Sequence, residues 1–356
     1  MTTLAQWVEV HRLAVAGREP VIARHVGDQV ARVWLRRSRF ADAAALANAT
    51  LTLGPDAGAF YDLGSAQSST GQPWQALASY EQALHLYREA GDHGNEAITL
   101  SNIGGVYNRL GDWQRALAYF QRALPIQQEV GDRAGEATTL HNVGLVYAGL
   151  GDWQRALAYY QRALPIRREV GDRAGEATTL NNIGGVYSGL GDRQRALAYY
   201  LEALPIAREV GHRAGEAITL NSIGGVYDGL GDRWQALTYY QQALPIAREV
   251  GDRASEATTL HNIGGVYNGL GDRQQALTYY QQALPIAREV GHRVGEAITR
   301  YNIAMIHRAE GNLDRAISEL ELVVDLDRQV GHPDLASDTA TLEKVRQERA
   351  KTRNAT

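Results

Sequence analysis

The ten histidines of this 356-residue sequence are its first candidates for metal binding. Three of them, His212, His292 and His332, lie at one equivalent position of a repeated segment and are separated by one or more whole repeats. A zinc site needs ligands that converge within about 2.0 to 2.3 Å of the metal, and no spacing of His, Asp or Glu along the chain provides them. The sequence therefore predicts neither a metal site nor a cofactor.

No residues suited to catalysis stand out either. The chain has no cysteine, which excludes disulfides and thiolate chemistry, and no glycine-rich loop precedes a basic residue as a phosphate site requires. Two rows of glutamate and one of arginine recur every 40 residues from Glu129, Glu136 and Arg133 onward; they predict solvated ion pairs of about 0 to 1 kcal/mol each. Because a catalytic constellation normally occurs once and every polar feature here is repeated, we expect no enzyme activity.

Composition narrows the choice of partners. The net charge is -4 with 21% charged residues, so no field of one sign attracts nucleic acid or an anionic membrane. No segment resembles a signal peptide, and no apolar run approaches the roughly 18 residues of a membrane span. We expect a cytoplasmic protein that binds neither nucleic acid nor membranes.

The polar rows follow a repeat of 40 residues. Glycine occupies one equivalent position from Gly91 to Gly331, and a second glycine marks each half-way point from Gly111 to Gly311. Residues 131 to 170 and 171 to 210 differ at eight of 40 positions, so each period is expected to be one structural unit.

Each unit reads as two helices. Apolar residues recur at spacings of three and four from Ala177 to Leu190, which predicts helix A, and again from Ala196 to Ala207, which predicts helix B. Gly191 supplies a left-handed cap to helix A, and Asp192 can accept the free N–H groups at the start of helix B. No strand-like alternation competes with this pattern.

The segment LNNIGGVYSGLGDRQRALAYYLEAL at 180 to 204 resembles the tetratricopeptide pattern of a large apolar residue, Leu-Gly, Tyr, Gly, Ala, Tyr or Phe, and Ala. The 40-residue period is similar to the subclass of kinesin light chains and Pins-type adaptors, and to sensor arrays of bacterial STAND signalling ATPases. The resemblance covers about residues 20 to 330 and implies an all-α fold, a right-handed α-solenoid of helix-turn-helix repeats, in which the A helices line a concave groove.

Three regions are expected in this solenoid. Residues 1 to 90 would hold an N-terminal helix near 2 to 16 and two divergent units, and residues 91 to 330 six 40-residue units. Residues 331 to 356 would hold a capping helix near 334 to 350 and a tail, because an end unit has no neighbour to cover it.

A proline recurs inside helix B, at Pro125, Pro165, Pro205, Pro245 and Pro285. A proline in a helix interior removes one hydrogen bond and costs about 3 kcal/mol. We expect a continuous helix B that bends at the proline; the alternative is that helix B ends and restarts there.

The candidate peptide-binding residues lie on helix A, facing away from the apolar stripe. A ladder of carboxamides, with one serine, could hydrogen-bond an extended backbone or else tie helix A to its neighbours; it comprises Asn102, Asn142, Asn182, Ser222, Asn262 and Asn302. The position before it varies between units as Ser101, His141, Asn181, Asn221, His261 and Tyr301. A position six residues after the ladder varies in the same way, with Asn108, Ser188, Asp228, Asn268 and Arg308 as candidates. Surface drift would also explain the variation.

Interior glycines on helix A need a cause, because each costs about 0.5 to 1 kcal/mol relative to alanine. One row comprises Gly105, Gly185, Gly225 and Gly265, with Leu145 and Met305 in the remaining units. Either the A helices crowd together, or a ligand backbone approaches closely.

The sequence thus predicts a non-enzymatic scaffold that binds a protein or peptide of unknown identity in the groove of the A helices. Two alternatives stay open: a sensor array of a larger STAND-type signalling protein, with an NB-ARC or protease-like effector, and a self-assembling homo-oligomer.

Overall fold

The computed structural model describes residues 3 to 355, and side chains as far as Arg353. Over that range the chain forms eighteen α-helices and no β-strand. The helices are α1 (Leu4–Ala16), α2 (Pro20–Arg36), α3 (Phe40–Leu51), α4 (Ala57–Ser69), α5 (Pro73–Glu89), α6 (His93–Arg109), α7 (Trp113–Glu129), α8 (Arg133–Gly149), α9 (Trp153–Glu169), α10 (Arg173–Gly189), α11 (Arg193–Glu209), α12 (Arg213–Gly229), α13 (Arg233–Glu249), α14 (Arg253–Gly269), α15 (Arg273–Glu289), α16 (Arg293–Ala309), α17 (Leu313–Val330) and α18 (Leu335–Ala355). None of these helices combines the length and apolar character needed to cross a membrane.

The packing of consecutive helices in pairs confirms the predicted α-solenoid class. From α6 to α17, each even-numbered helix is a predicted helix A and each odd-numbered helix a helix B, and the two pack together as a hairpin. The divergent N-terminal region contains two further hairpins, α2 with α3 and α4 with α5. The predicted end helices are α1 and α18; residue 2 of the first predicted range and residue 356 of the predicted tail lie outside the described residues.

Close packing divides the chain into two compact units, Met1–Asp172 and Arg173–Thr356. The first contains α1 to α9 and the second α10 to α18. The division at residues 90 and 330 rests on sequence similarity between repeats instead, and it stays a prediction.

The turns between helices form as the Gly-Asp pairs predict. Gly191 has a φ of +79°, a left-handed conformation that glycine adopts without a steric penalty. The carboxylate of Asp192 then accepts a hydrogen bond from the backbone N–H of Arg195 at 3.0 Å, which satisfies one free donor at the start of α11. His212 and His292 occupy the N-cap positions of the A helices α12 and α16, and their side chains accept no hydrogen bond from the helix backbone.

Helix A packs against helix B through a glycine and an aromatic ring. Leu180 and Ile183 are fully buried, and Tyr200 of α11 lies directly over Gly184 of α10. A Cβ atom on Gly184 would lie 2.7 Å from the Tyr200 ring, closer than carbon atoms pack. The same contact recurs in other hairpins of both units, at Gly64, Gly104, Gly144, Gly224 and Gly264.

Helix B is continuous through its proline in every repeat that has one, so the alternative of a helix that ends and restarts is wrong. Pro205, for example, lies within the single helix α11. All five prolines are exposed, so the carbonyl that loses its partner lies on the solvent side, where water can hydrate it. The bend of helix B stays a prediction.

The ion pairs differ from the predicted solvated pairs. Glu216 is only 4% exposed, and it accepts a hydrogen bond from Arg208 of the preceding hairpin at 2.8 Å and contacts Arg213 of its own helix. Arg213 also pairs with Glu249 at 2.6 Å. Each such cluster links three successive helices. The row of glutamates that begins at Glu136 is buried because the stacking of hairpins covers it. Its members are Glu136, Glu176, Glu216, Glu256 and Glu296.

Candidate functional site

Each A helix from α6 onward presents one stripe of incompletely buried residues, which we call the A face. In α12 it comprises Ile218, Ser222, Gly225 and Gly229, of which only Ser222 is half-buried rather than exposed. Spacings of four, three and four place these residues on one side of a helix. The predicted groove residues lie on this stripe or directly beside it.

The carboxamide ladder lies in the middle of the A face, and its members are half-buried. In the first unit, the amide of Asn102 donates to the hydroxyl of Tyr61 at 2.8 Å. In the second unit, the amide of Asn262 donates to Oδ1 of Asn221 at 3.3 Å. These two members therefore tie α6 to α4 and α14 to α12, while a carboxamide retains further donor and acceptor capacity for a ligand.

The variable position before the ladder faces the next A helix. Its polar side chains hydrogen-bond to a threonine one repeat later, in the pairs Ser101–Thr139 at 2.8 Å, Asn181–Thr219 at 3.2 Å, Asn221–Thr259 at 3.2 Å and His261–Thr299 at 2.8 Å. Burial lowers the pKa of His261 and, with a smaller contribution from Arg167, lowers the pKa of His141 to about 3. Both imidazoles are therefore neutral at pH 7.

The third predicted row is the most accessible of the three. Ser188, Asp228 and Asn268 are exposed, whereas Asn108 is half-buried. Arg308 forms a two-pronged ion pair with Glu348 of α18, with N–O distances of 3.0 and 2.5 Å. In the last repeat, α18 thus occupies part of the A face.

Packing does not account for the glycine row on the A face. A Cβ atom on Gly185, Gly225 or Gly265 would come no closer than 3.6 Å to any neighbouring atom, and that neighbour is a tyrosine hydroxyl. This is an ordinary van der Waals distance, so the explanation that the A helices crowd together is wrong for these positions. In α8 the same position carries Leu145, whose side chain is exposed, whereas Met305 of α16 packs against the core beneath α18.

Pockets between successive A helices contain residues that the sequence analysis missed. One pocket of about 170 Å³ lies between α14 and α16. Its walls include His261 and Ile298, and Ala283 and Ala287 of α15 form its floor. The residue equivalent to Ala287 is buried in every repeat and changes its chemistry along the chain, as Gln127, Arg167, Ala207, Ala247, Ala287 and Asp327.

The polar floor residues are incompletely satisfied. Gln127, Arg167 and Asp327 each carry one buried polar atom without a hydrogen-bond partner, namely Oε1, Nε and Oδ2. Native proteins rarely leave such atoms unpaired, so the position is a candidate for ligand contact. The sequence did contain a signal for this position. Along otherwise near-identical helices, its side chain changes from the amide of Gln127 to the guanidinium of Arg167, then to the methyl group of alanine and finally to the carboxylate of Asp327.

The described part of the chain contains no arrangement of side chains suited to a metal ion. Between residues 3 and 355, no group of three or more His, Asp or Glu side chains is arranged to hold a metal ion.

Comparison with known proteins gives the family and the fold. A family model described as tetratricopeptide repeat matches residues 95–169, 175–249 and 255–329. No curated protein sequence matches the chain significantly.

Solved structures share the fold. BtubC (BKLC) from P. vanneervenii is 25% identical over 60% of this chain and 91% of its own, with a TM-score of 0.54. The apo quorum sensor NprR from B. thuringiensis is 16% identical, with a TM-score of 0.71 over 91% of this chain and 97% of its own. The STAND protein PH0952 from Pyrococcus horikoshii, which has a tetratricopeptide repeat sensor, is 15% identical, with a TM-score of 0.70 over 96% of this chain and 54% of its own.

Proposed function

The chain belongs to the tetratricopeptide repeat family, and from this premise we propose that it is a scaffold that binds a peptide or extended protein segment along its A face without catalysing a reaction. The fold is shared with the quorum sensor NprR and with the repeat sensor of PH0952. Its cytoplasmic location and a homo-oligomeric state stay predictions.

The observation that carries the proposal is the row of glycines on the A face. Each of these glycines weakens its helix by about 0.5 to 1 kcal/mol relative to alanine, and no neighbouring protein atom excludes a Cβ atom at Gly185, Gly225 or Gly265. A backbone lying across the A face would require it, because glycine allows the closest approach of another chain.

The surroundings of the glycines suit an extended peptide. The half-buried carboxamides of Asn262 and its equivalents lie one helical turn before the glycines and can pair with peptide N–H or C=O groups. The pockets between A helices, such as the one floored by Ala287, would hold alternate side chains. Backbone pairing would supply affinity and the pockets specificity, as in other modes of peptide recognition.

The test is to fill the row with a side chain that the chain itself tolerates. Leucine already stands at this position as Leu145, so Gly185→Leu combined with Gly225→Leu should fold. We expect the double variant to lose binding to an array of N-acetylated random octapeptides by at least tenfold, since two leucines would occupy the path of the ligand.

Gln241→Leu is the matched control, because it adds the same side chain at an exposed position of helix B in α13. It should bind as the unmodified protein does. Unchanged peptide binding by the folded double-leucine variant would contradict the proposal.

A second proposal, that the array is the sensor part of a larger signalling protein, is favoured by one observation. The alignment with PH0952 covers 96% of this chain but only 54% of that protein. An adjoining nucleotide-binding or protease-like domain in the same reading frame would support this proposal, and a reading frame confined to these repeats would contradict it.

A further inference from the structure

A pocket at the C-terminal end of the second unit differs in charge from its equivalents. It encloses about 340 Å³ between α16, the end of α17 and the start of α18. We call it the terminal pocket; its polar lining consists of Tyr301, Asp327, His332, Asp334, Ser337 and Asp338.

The terminal pocket corresponds, one repeat later, to the apolar pocket between α14 and α16. Asp327 takes the floor position of Ala287, and His332 takes the position of His292. Ile298 lines both pockets, so they are neighbours on the A face. One floor residue therefore changes a pocket that would accept a methyl or isobutyl group into one that carries negative charge.

The carboxylate of Asp327 is buried, and one of its two oxygens has no hydrogen-bond partner. Asp327 is 1% exposed, and its Oδ2 accepts no hydrogen bond. The nearest cationic group is Nδ1 of His332, 4.0 Å from Oδ1 and charged only when protonated. Burying an ionised carboxylate without a charge partner or hydrogen-bond donor is strongly unfavourable. Since alanine occupies this position in three other repeats, packing alone does not require the carboxylate.

The neighbouring groups increase the negative charge. Asp338 and Asp334 of the α17–α18 region face the same space. Burial, followed by a hydrogen bond to Asp327 and the negative charge of that residue, raises the pKa of the Asp338 carboxyl to about 6. The ionised form of Asp338 is therefore less favourable in this pocket than in water. A bound cation would relieve both the desolvation of Asp327 and the repulsion between the carboxylates.

We propose that the terminal pocket binds the ammonium or guanidinium group of a basic residue in a peptide lying on the A face. This assignment rests on the proposed function and specifies its ligand: a basic side chain in the terminal pocket next to an aliphatic side chain in the pocket floored by Ala287. An organic cation fits better than a metal ion, because no three acidic or histidine side chains within residues 3–355 have the arrangement of a metal site.

The test uses the substitution that the repeat supplies. Asp327→Ala restores the floor found at Ala287 and should fold, with a melting temperature at or above that of the unmodified protein. On the array of N-acetylated random octapeptides, the unmodified protein should select sequences with lysine or arginine beside an aliphatic residue. For the best such peptide we expect Asp327→Ala to raise the Kd about tenfold, the loss of one charge-assisted hydrogen bond.

Asp325→Ala is the matched control. It removes the same charge from the same helix two residues away, on a side chain that is 62% exposed, and should leave the basic preference unchanged. The array is then repeated with peptides whose N-termini are free. If the pocket binds a terminal ammonium instead of a side-chain cation, peptides without lysine or arginine will bind in this second array. Should Asp327→Ala fail to fold, Asp338→Asn provides the same comparison.

The outcomes distinguish a failure of the cationic ligand from a failure of the proposed peptide-binding function. Peptide binding without a basic preference, or a basic preference that persists in both Asp327→Ala and Asp338→Asn, would overturn the cationic ligand and leave the proposed function standing. The absence of any peptide binding by the unmodified protein would overturn both.

Discussion

Adjacent glycines in the A helices have different causes. Gly184 is needed because the ring of Tyr200 occupies the space of a side chain, whereas Gly185, the next residue, has room for one. The first glycine therefore belongs to the core and the second to the A face. The same pair recurs in α12 as Gly224 and Gly225.

Substituting each glycine of the pair by alanine should change stability in opposite directions. Gly184→Ala forces a methyl group against the Tyr200 ring and should destabilise the protein by about 1 to 3 kcal/mol. Gly185→Ala should stabilise it by about 0.5 to 1 kcal/mol, because alanine favours the helix and its Cβ would meet the Tyr200 hydroxyl only at an ordinary van der Waals distance. Urea unfolding followed by circular dichroism measures both changes, and a loss of stability in Gly185→Ala would show that the position is packed.

At the scale of the helices, charge clusters connect one hairpin to the next. Arg208 of α11 reaches Glu216 of α12, and Arg213 of α12 reaches Glu249 of α13. The buried glutamate is the centre of each cluster, because it contacts both arginines. The partly exposed arginines can return to water when the glutamate is removed, which limits the loss of stability.

Removing a central and a peripheral glutamate should distinguish these roles. We expect Glu216→Ala to lower the free energy of unfolding by about 1 to 3 kcal/mol, since two arginines lose their buried acceptor. Glu249→Ala, at the exposed end of the same cluster, should have a smaller effect that disappears in high salt. Equal losses in the two variants, measured by urea unfolding, would contradict the central role of Glu216.

The helices were predictable from the sequence because their signals are local. The Gly191-Asp192 turn and the apolar spacing from Ala177 to Leu190 each depend on residues within one or two turns of helix. The burial of Glu216 was not predictable in this way, since it results from the stacking of its hairpin on the preceding one, which also supplies Arg208. The pocket floor at Ala287 and Asp327 escaped detection for the same reason, because its walls come from A helices in two different repeats.

At the scale of the whole chain, repetition makes stability and recognition local to neighbouring repeats. In an array of this kind each repeat packs only against those beside it, so a substitution on one A face leaves the remaining hairpins intact. Near-identical cores with different residues at the position before the ladder, in the glycine row and at the pocket floor are therefore what a modular binding surface requires. The ligand chemistry would be set by single positions such as Asp327, and the affinity by the number of repeats engaged.

The most direct test of the central claim is to locate a bound peptide by photo-crosslinking. An octapeptide selected on the array would be resynthesised with a benzophenone side chain at each position in turn, irradiated with the full chain, and the adducts assigned by mass spectrometry. We predict adducts on A-face residues such as Ile218, Gly225 and Ile298, and their disappearance in the Gly185→Leu, Gly225→Leu variant. Adducts confined to exposed residues of the B helices, such as Gln241 and Pro245, would contradict the claim.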